Sequence, residues 1–245
     1  MTKVYVCEIS NLIEEVKNDS NVMDTYFEKL EEARIEHILK NKKAEDRARS
    51  LGAALLLLFV LQKNGYLIEQ LPDFSYVENG KPYLKQFVGL HFNLSHTKNI
   101  IACVISNTEV GIDVEHVREI KKSTVDRVFT KAEIELAKSM ENGFVSLWTM
   151  KEACAKVQGK GLADILDGME IIETENGKLV KKLNQDIRKT FCCKVVAEGK
   201  IQDCCHYPYY YSVCIKENAE QKDLSGNEIE TTFLQWDKGA FAIVN

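Results

Sequence analysis

Residues 106–115 read SNTEVGIDVE, and this stretch divides the chain into two parts with similar patterns. The turn-like cluster of Ser, Asn, Thr and Glu follows an apolar strand predicted over residues 100–105. A new strand, Val110 to Glu115, then begins a second series of helices and strands. We therefore expect an α+β fold with an N-terminal half, residues 1–108, and a C-terminal half, residues 109–245.

The N-terminal half combines a strand over residues 3–9, two helices and a small, mostly antiparallel sheet. The run LGAALLLLFVL at 51–61 is too short to cross a bilayer and indicates a buried helix, predicted over 44–63 and ended by Asn64-Gly65. Asn79-Gly80 separates two strand-like runs and predicts a hairpin, and a further strand is expected over 91–95. An earlier helical stripe starts at Asp24 and continues through Phe27, Leu30, Arg34 and Ile38.

The C-terminal half contains helices predicted near residues 131–141 and 144–158, followed by strands to about residue 215. Thr130 and Glu133 have the spacing of a capping box, which starts the first of these helices. Residues 217–226 are polar and typical of a linker. The tail after about residue 216 has no assigned role.

Composition excludes several classes of partner. The 245 residues include 32 Lys plus Arg and 37 Asp plus Glu, a formal net charge of −5, which does not favour nucleic-acid binding. Glu8 interrupts the first apolar stretch before a signal-peptide core forms, so we expect a cytoplasmic protein that does not bind membranes. The 8 cysteines lack any C-x-x-C spacing and are expected to be reduced thiols.

A zinc site is the alternative interpretation of some of these cysteines. Cys192-Cys193 and Cys204-Cys205-His206 contain thiolates and an imidazole, which suit zinc. Neighbouring residues of a strand point to opposite faces, however, so only one thiol of each pair could converge on a metal. Packing of the thiols between strands is the favoured interpretation.

Two carboxylates lie on one face of the strand over residues 110–115. Asp113 and Glu115 are roughly 7 Å apart along the strand and need a cation or a basic side chain between them. Gly111 beside them is expected to keep a pocket clear. The alternative is a solvated edge strand with acidic outer residues.

A second group lies on the predicted helix over residues 144–158. Trp148, Glu152 and Lys156 follow one another at a spacing of four residues, which places them along one stripe. The alternative is an ordinary surface ion pair between Glu152 and Lys156. A Trp on the same stripe indicates that the stripe faces protein, where a buried acid needs a cation.

A third group contains polar residues of the N-terminal half that each have an ordinary structural explanation. Arg49 could be a helix surface charge, and Lys81 a solubilising residue of the hairpin. Asn93 and Ser95 could form turns, and His96 could be a half-buried imidazole.

Taken in chain order, five motifs resemble the 4′-phosphopantetheinyl transferase superfamily, in its larger single-chain, Sfp-like type. They are GKP at 80–82, FNLSH at 92–96, GIDVE at 111–115, FTxxE at 129–133 and WxxKEAxxKxxGxGL at 148–162. The resemblance spans roughly residues 44–165 and weakens toward both ends.

The resemblance implies two similar α/β subdomains packed as a pseudo-dimer, with coenzyme A in the cleft between them. It implies that Asp113, Glu115 and Glu152 hold Mg²⁺, for which Mn²⁺ can substitute, and that Asp113 also belongs to the coenzyme A site. Carboxylates and phosphate oxygens are ligands that Mg²⁺ prefers. The residues implied near the phosphates and the 3′-phosphoadenosine are Arg49, Lys81, Ser95, His96 and Lys156, with Pro82 and Gly80 near the adenine.

The implied reaction transfers 4′-phosphopantetheine from coenzyme A to a serine of an apo acyl or peptidyl carrier protein, releasing adenosine 3′,5′-bisphosphate. Glu152 is the candidate base, and Lys156 would accept charge developing on the pyrophosphate. We expect a monomer. The basic residues of the family's first helix fall near Arg34 and His37, a poor match, and these two are left unassigned.

Two other functions use part of the same pattern. An Mg²⁺-dependent pyrophosphate hydrolase needs the acids but has no use for residues 80–82 or 93–96. A non-catalytic module that binds coenzyme A or carriers is expected to lack at least one of the three acids, and none is missing here. The carrier served, whether for fatty acids, polyketides or nonribosomal peptides, is not specified by these motifs.

Overall fold

The structure is a computed structural model that describes residues 1–78, 80–159, 168–175, 177–182, 191–204, 206–216 and 229–244. In this part of the chain, two five-stranded sheets face each other, and each has a long helix on its other side. Several sequence features lie outside the described residues: Asn79, Gly161-Leu162 at the end of the last motif, Cys205, and the predicted linker at 217–226.

The N-terminal half begins with a strand and continues with a helical region before its sheet is completed. Its elements are β1 (Thr2–Glu8), α1 (Ser10–Asn18), a 3₁₀ turn (Ser20–Met23), α2 (Asp24–Phe27), α3 (Glu32–Leu39), α4 (Ala44–Lys63), β2 (Ser75–Tyr76), β3 (Pro82–Tyr83), β4 (His91–Thr97) and β5 (Ile100–Ser106).

Helix α4 occupies the predicted range and is the central helix of this half. Its residues from Leu51 to Leu58 are buried, because α1 and α3 pack on it and one face of the first sheet lies against it. A helix that is apolar on all sides is stable in water only when it is covered in this way. Gly65, with φ +86°, follows the helix end in the left-handed conformation that favours glycine.

The helical stripe expected from Asp24 to Ile38 is interrupted in the structure. Leu30 forms an isolated parallel bridge with Leu71, and Leu71 donates a backbone hydrogen bond to Lys29 O at 2.8 Å. This pairing with a distant segment separates α2 from α3. Helix α1 was missed by the sequence analysis, although Leu12, Ile13 and Val16 form its buried face.

The C-terminal half repeats the order of strand, helices and strands. Thr130 and Glu133 form the predicted capping box at the start of α6. The elements are β6 (Val110–His116), α5 (Lys122–Val128), α6 (Lys131–Ser139), α7 (Gly143–Gln158), β7 (Met169–Thr174), β8 (Gly177–Lys182), β9 (Phe191–Gln202) and β10 (Pro208–Lys216).

The two sheets have related strand orders, which confirms the predicted α+β fold class. The first sheet contains β1-β5-β4 as neighbours, and the second contains β6-β10-β9 in the equivalent order. Helix α4 occupies the same position in the first series as α7 does in the second. Valines and isoleucines of β1 and β5 pack against those of β6 and β10 to form the core between the sheets.

The C-terminal tail joins the N-terminal sheet instead of the half to which its position in the sequence assigned it. Strand β11 (Thr231–Asp237) pairs in parallel with β1, and β12 (Ala240–Ile243) extends the sheet beyond it. Trp236 of β11 is 2% exposed and contacts Tyr26 and Phe241 edge to face. The tail therefore completes the core of the first half.

Two further predictions concern membrane-spanning helices and the state of the cysteines. None of their helices is long and apolar enough to span a membrane. Cys7, Cys103, Cys154, Cys193 and Cys214 are buried thiols that form no disulfide.

Candidate active site

Gly111 lets helix α7 lie directly on strand β6. A Cβ atom at this position would be 2.1 Å from Ala153 O and 2.7 Å from Val157 N, so only glycine allows the helix backbone to approach this closely. Gly111 thus makes room for α7, where the sequence analysis expected an open pocket. The contact brings Glu152 and Lys156 of α7 next to Asp113 of β6.

Asp113, Ser95 and Lys156 form one hydrogen-bonded network across the two halves. Lys156 Nζ donates to Asp113 Oδ1 at 2.7 Å and to Ser95 Oγ at 2.9 Å, and Ser95 Oγ donates to Asp113 Oδ1 at 2.9 Å. Asp113 is only 5% exposed, which excludes the alternative of a solvated acidic face at this residue. Lys156 forms its ion pair with Asp113 instead of the surface pair with Glu152 considered from the sequence.

Negative charge exceeds positive charge around this network. Burial and, after it, the nearby carboxylates of Asp113 and Glu115 raise the pKa of Glu152 to about 7, against the opposing effect of Lys156. Asp113 Oδ2 is buried and has no hydrogen-bond partner among the described residues. These oxygens are the hard ligands that Mg²⁺ prefers, so the residues fit a bound Mg²⁺ ion.

Glu115 forms an ion pair with Arg118 and does not complete a three-carboxylate cluster with Asp113 and Glu152. Arg118 donates to both Glu115 oxygens, at 2.5 and 3.3 Å. Within the described ranges, no three His, Cys, Asp or Glu side chains are arranged to hold a metal ion. Asp113 and Glu152 are therefore the stronger candidates for metal ligands, and two carboxylates completed by phosphate oxygens and water are usual for Mg²⁺.

Basic side chains of the N-terminal half lie beside the network. Arg49 donates to Lys98 O at 3.1 Å and pairs with Asp46 at 2.5 Å. Reduced solvation and the positive charges of Arg49 and Lys156 lower the pKa of the His96 imidazole. His96 is therefore close enough to both cations to feel their charge, and the three side chains together favour an anion.

Lys81 and Pro82, which the resemblance places at the coenzyme A site, make contacts within the protein. Lys81 Nζ donates to Val110 O at 2.7 Å and to Val157 O at 3.1 Å, which ties the hairpin to the start of β6 and the end of α7. Burial lowers the pKa of Lys81 to about 8. Pro82 lies in β3 opposite Tyr76.

The comparisons with known proteins identify the family of this chain. A family model described as the 4′-phosphopantetheinyl transferase superfamily matches residues 109–206. The chain is 31% identical over 170 residues to the 4′-phosphopantetheinyl transferase gsp of Aneurinibacillus migulanus, which covers 66% of this chain and 69% of that relative. The chain belongs to the 4′-phosphopantetheinyl transferase superfamily.

Other superfamily members show similar identity over shorter segments. The 4′-phosphopantetheinyl transferase Sfp of Bacillus subtilis is 32% identical over 140 residues, covering 55% of this chain and 62% of Sfp. The 4′-phosphopantetheinyl transferase HetI of a Nostoc species is 39% identical over 119 residues, covering 43% and 50%. The chain thus spans less than two thirds of the length of these two superfamily members.

The FTxxE and WxxKEA motifs of the superfamily meet in a buried brace whose role the sequence analysis missed. Lys151 is 0% exposed, and its Nζ donates to Glu133 Oε2, Val128 O and Met169 O, each at 2.8 Å. Glu133 also accepts from Thr130 N at 2.7 Å and from Ile171 N at 2.9 Å. These hydrogen bonds hold α7 against α6 and β7 at Lys151, the residue before Glu152. In the sequence, the only indication of this contact was the glutamate at the capping-box position, Glu133.

Arg34 and His37, which the sequence left unassigned, lie on α3. Arg34 donates to Ser50 O at 3.3 Å and stacks on Phe74 at 4.9 Å, while burial and the charge of Arg34 lower the pKa of His37. Among the described Cys and His residues there is no metal-binding group, which leaves the zinc alternative without support there.

Proposed function

We propose that the protein transfers 4′-phosphopantetheine from coenzyme A to a serine hydroxyl of an apo acyl or peptidyl carrier protein. The products would be the holo-carrier and adenosine 3′,5′-bisphosphate. The observation that carries this proposal is the Asp113–Ser95–Lys156 network, which joins an acid and a base of the C-terminal half to Ser95 of the N-terminal half. A pyrophosphate and its counter-ion need both kinds of group in one place.

Asp113 and Glu152 would hold Mg²⁺, and Mn²⁺ could substitute. Glu115 would join them where Arg118 releases it. When bound, the ion would neutralise the pyrophosphate oxygens of coenzyme A and stabilise charge on the leaving group. The support is the unpartnered Asp113 Oδ2, together with the closeness of Asp113 and Glu115 to Glu152 that contributes to its raised pKa, since neighbouring carboxylates favour a bound cation.

Glu152 is the proposed general base. In the metal-free protein its pKa of about 7 makes this carboxylate a stronger base than an ordinary glutamate. The carrier serine oxygen would form a bond to the β-phosphorus while its proton passes to Glu152. The bond from that phosphorus to the bridging oxygen would break, and adenosine 3′,5′-bisphosphate would leave with the bonding electrons.

Lys156 and the basic side chains would bind the anionic part of coenzyme A. Lys156 is 26% exposed at its side chain, so it can contact a ligand while it remains paired with Asp113. Arg49 and His96 lie on the adjoining surface and would contact the remaining phosphates. Fixed donors of this kind stabilise charge that develops during phosphoryl transfer.

The test is incubation with coenzyme A, Mg²⁺ and a panel of apo carriers, followed by intact mass measurement of the carrier. A pantetheine adduct on serine that requires Mg²⁺ supports the proposal. Release of 4′-phosphopantetheine without a carrier would identify a hydrolase instead. Binding of coenzyme A with no adduct on any carrier would favour a non-catalytic module.

A further inference from the structure

Strands β4 and β6 are neighbouring edges of different sheets. Strand β4 pairs only with β5, and β6 pairs only with β10, in the part of the chain that the structure describes. The two edges pack against each other, but no main-chain ladder between them is found in those residues. Alternate N–H groups of β6 therefore point away from β10 and need other acceptors.

Two side chains of β4 accept hydrogen bonds from these N–H groups. Asn93 Oδ1 accepts from Ile112 N at 2.9 Å, and Ser95 Oγ accepts from Val114 N at 3.3 Å. Both hydrogen bonds are buried, and Asn93 is 7% exposed. The bonded N–H groups lie on either side of Asp113, so β4 fixes the backbone of this residue from both sides.

We propose that Asn93 is a positioning residue that sets Asp113 of β6 against Ser95 and His96 of β4. This inference rests on the proposed function, because it assigns Asn93 to the assembly of that site. Ser95 also contacts the Asp113 carboxylate and Lys156, whereas the amide oxygen of Asn93 bonds to the β6 main chain. Asn93 thus acts on the site through the strand.

Loss of the Asn93 acceptor leaves a buried N–H without a partner. An unsatisfied buried donor is costly, so β6 would shift or admit water to satisfy Ile112 N. Either change moves Asp113 relative to the side chains of β4. The affinity for the metal ion would then fall more than it would after the loss of one hydrogen bond elsewhere in the protein.

The experiment compares Asn93→Leu, which keeps the side-chain size and removes the acceptor, with Ser106→Ala as a matched control. Ser106 is 3% exposed and accepts a hydrogen bond from Thr108 N at 3.2 Å. It pairs with His91 at the end of the β4–β5 ladder that is remote from Ser95 and His96. The readouts are hydrogen–deuterium exchange of a peptide spanning residues 110–116 and Mn²⁺ binding by electron paramagnetic resonance.

For Asn93→Leu we expect hydrogen–deuterium exchange of residues 110–116 to be at least tenfold faster than in the original protein, and Mn²⁺ affinity to be at least tenfold lower. For Ser106→Ala we expect both quantities to stay within twofold of the original protein. Equal changes in the two variants, or unchanged exchange in Asn93→Leu, would overturn the inference. If Asn93→Leu does not fold, Asn93→Ser keeps a shorter acceptor and must differ at least threefold from the control. Exchange needs no transfer activity, so this result is separate from failure of the proposed function.

Discussion

Glu152→Gln is expected to stabilise the metal-free protein while it abolishes transfer. Burial and neighbouring acids raise the pKa of Glu152 from 4.5 to about 7, so its ionised form is disfavoured in the folded state. That change corresponds to about 3 kcal/mol at pH values above both pKa values. Because solvent screens part of the carboxyl group, we expect Glu152→Gln to raise the free energy of unfolding by about half of this amount, which corresponds to a rise of roughly 3–6 °C in Tm.

The pH dependence of this gain has a defined sign. A carboxyl whose folded-state pKa is raised lowers stability as pH increases from 4.5 toward about 7. The advantage of Glu152→Gln should therefore be full at pH 8 and small near pH 5. Mg²⁺ with coenzyme A should raise Tm of the original protein and have much less effect on the variant.

Asp113→Asn is the matched counterpart and should change stability in the opposite direction. Asp113 Oδ1 accepts from Lys156 at 2.7 Å and from Ser95 at 2.9 Å, so removing its charge leaves a half-buried ammonium without its partner. We expect a loss of about 1–3 kcal/mol together with loss of transfer.

Thermal unfolding in EDTA at pH 8 and pH 5, measured by circular dichroism, separates the two variants. Transfer to an apo carrier is measured in parallel with saturating Mg²⁺. The reasoning would be refuted if Glu152→Gln were no more stable than the original protein at pH 8. A gain in stability for Asp113→Asn would also refute the prediction, because the charge of Asp113 would then destabilise the folded state as the charge of Glu152 does.

Three further predictions concern basic side chains. Arg49→Ala should weaken coenzyme A binding by about tenfold to hundredfold in calorimetry, the value of a lost charge-assisted phosphate contact. Lys81→Ala should chiefly lower Tm, because its Nζ holds main-chain carbonyls; equal losses of affinity in both variants would contradict this contrast. Replacing the exposed residues Lys121, Lys122 and Arg127 together by Ala should raise KM for a carrier with an acidic docking surface and make that KM less sensitive to salt, because fewer charges then attract the carrier. KM for coenzyme A should stay constant. Unchanged carrier KM would place docking on another surface.

Local sequence patterns determined the elements whose stability depends on near neighbours. The 44–63 helix follows from its continuous apolar run, and the Thr130–Glu133 capping box from groups three residues apart. Candidate site residues could also be proposed, because Asp113, Glu152 and Lys156 stand in motifs that resemble one family. Such patterns depend on spacing along the chain, which the sequence records directly.

Only the tertiary structure decided which of these groups are partners. Lys156 binds Asp113 rather than the glutamate one helical turn away, and Glu115 is taken by Arg118. The amide of Asn93 bonds to a strand edge in the other half, and β11 joins β1 although it lies last in the chain. These contacts depend on which strand edges and buried polar groups meet after folding. A buried donor or charge takes the partner that packing brings near, and spacing along the sequence carries no record of that choice.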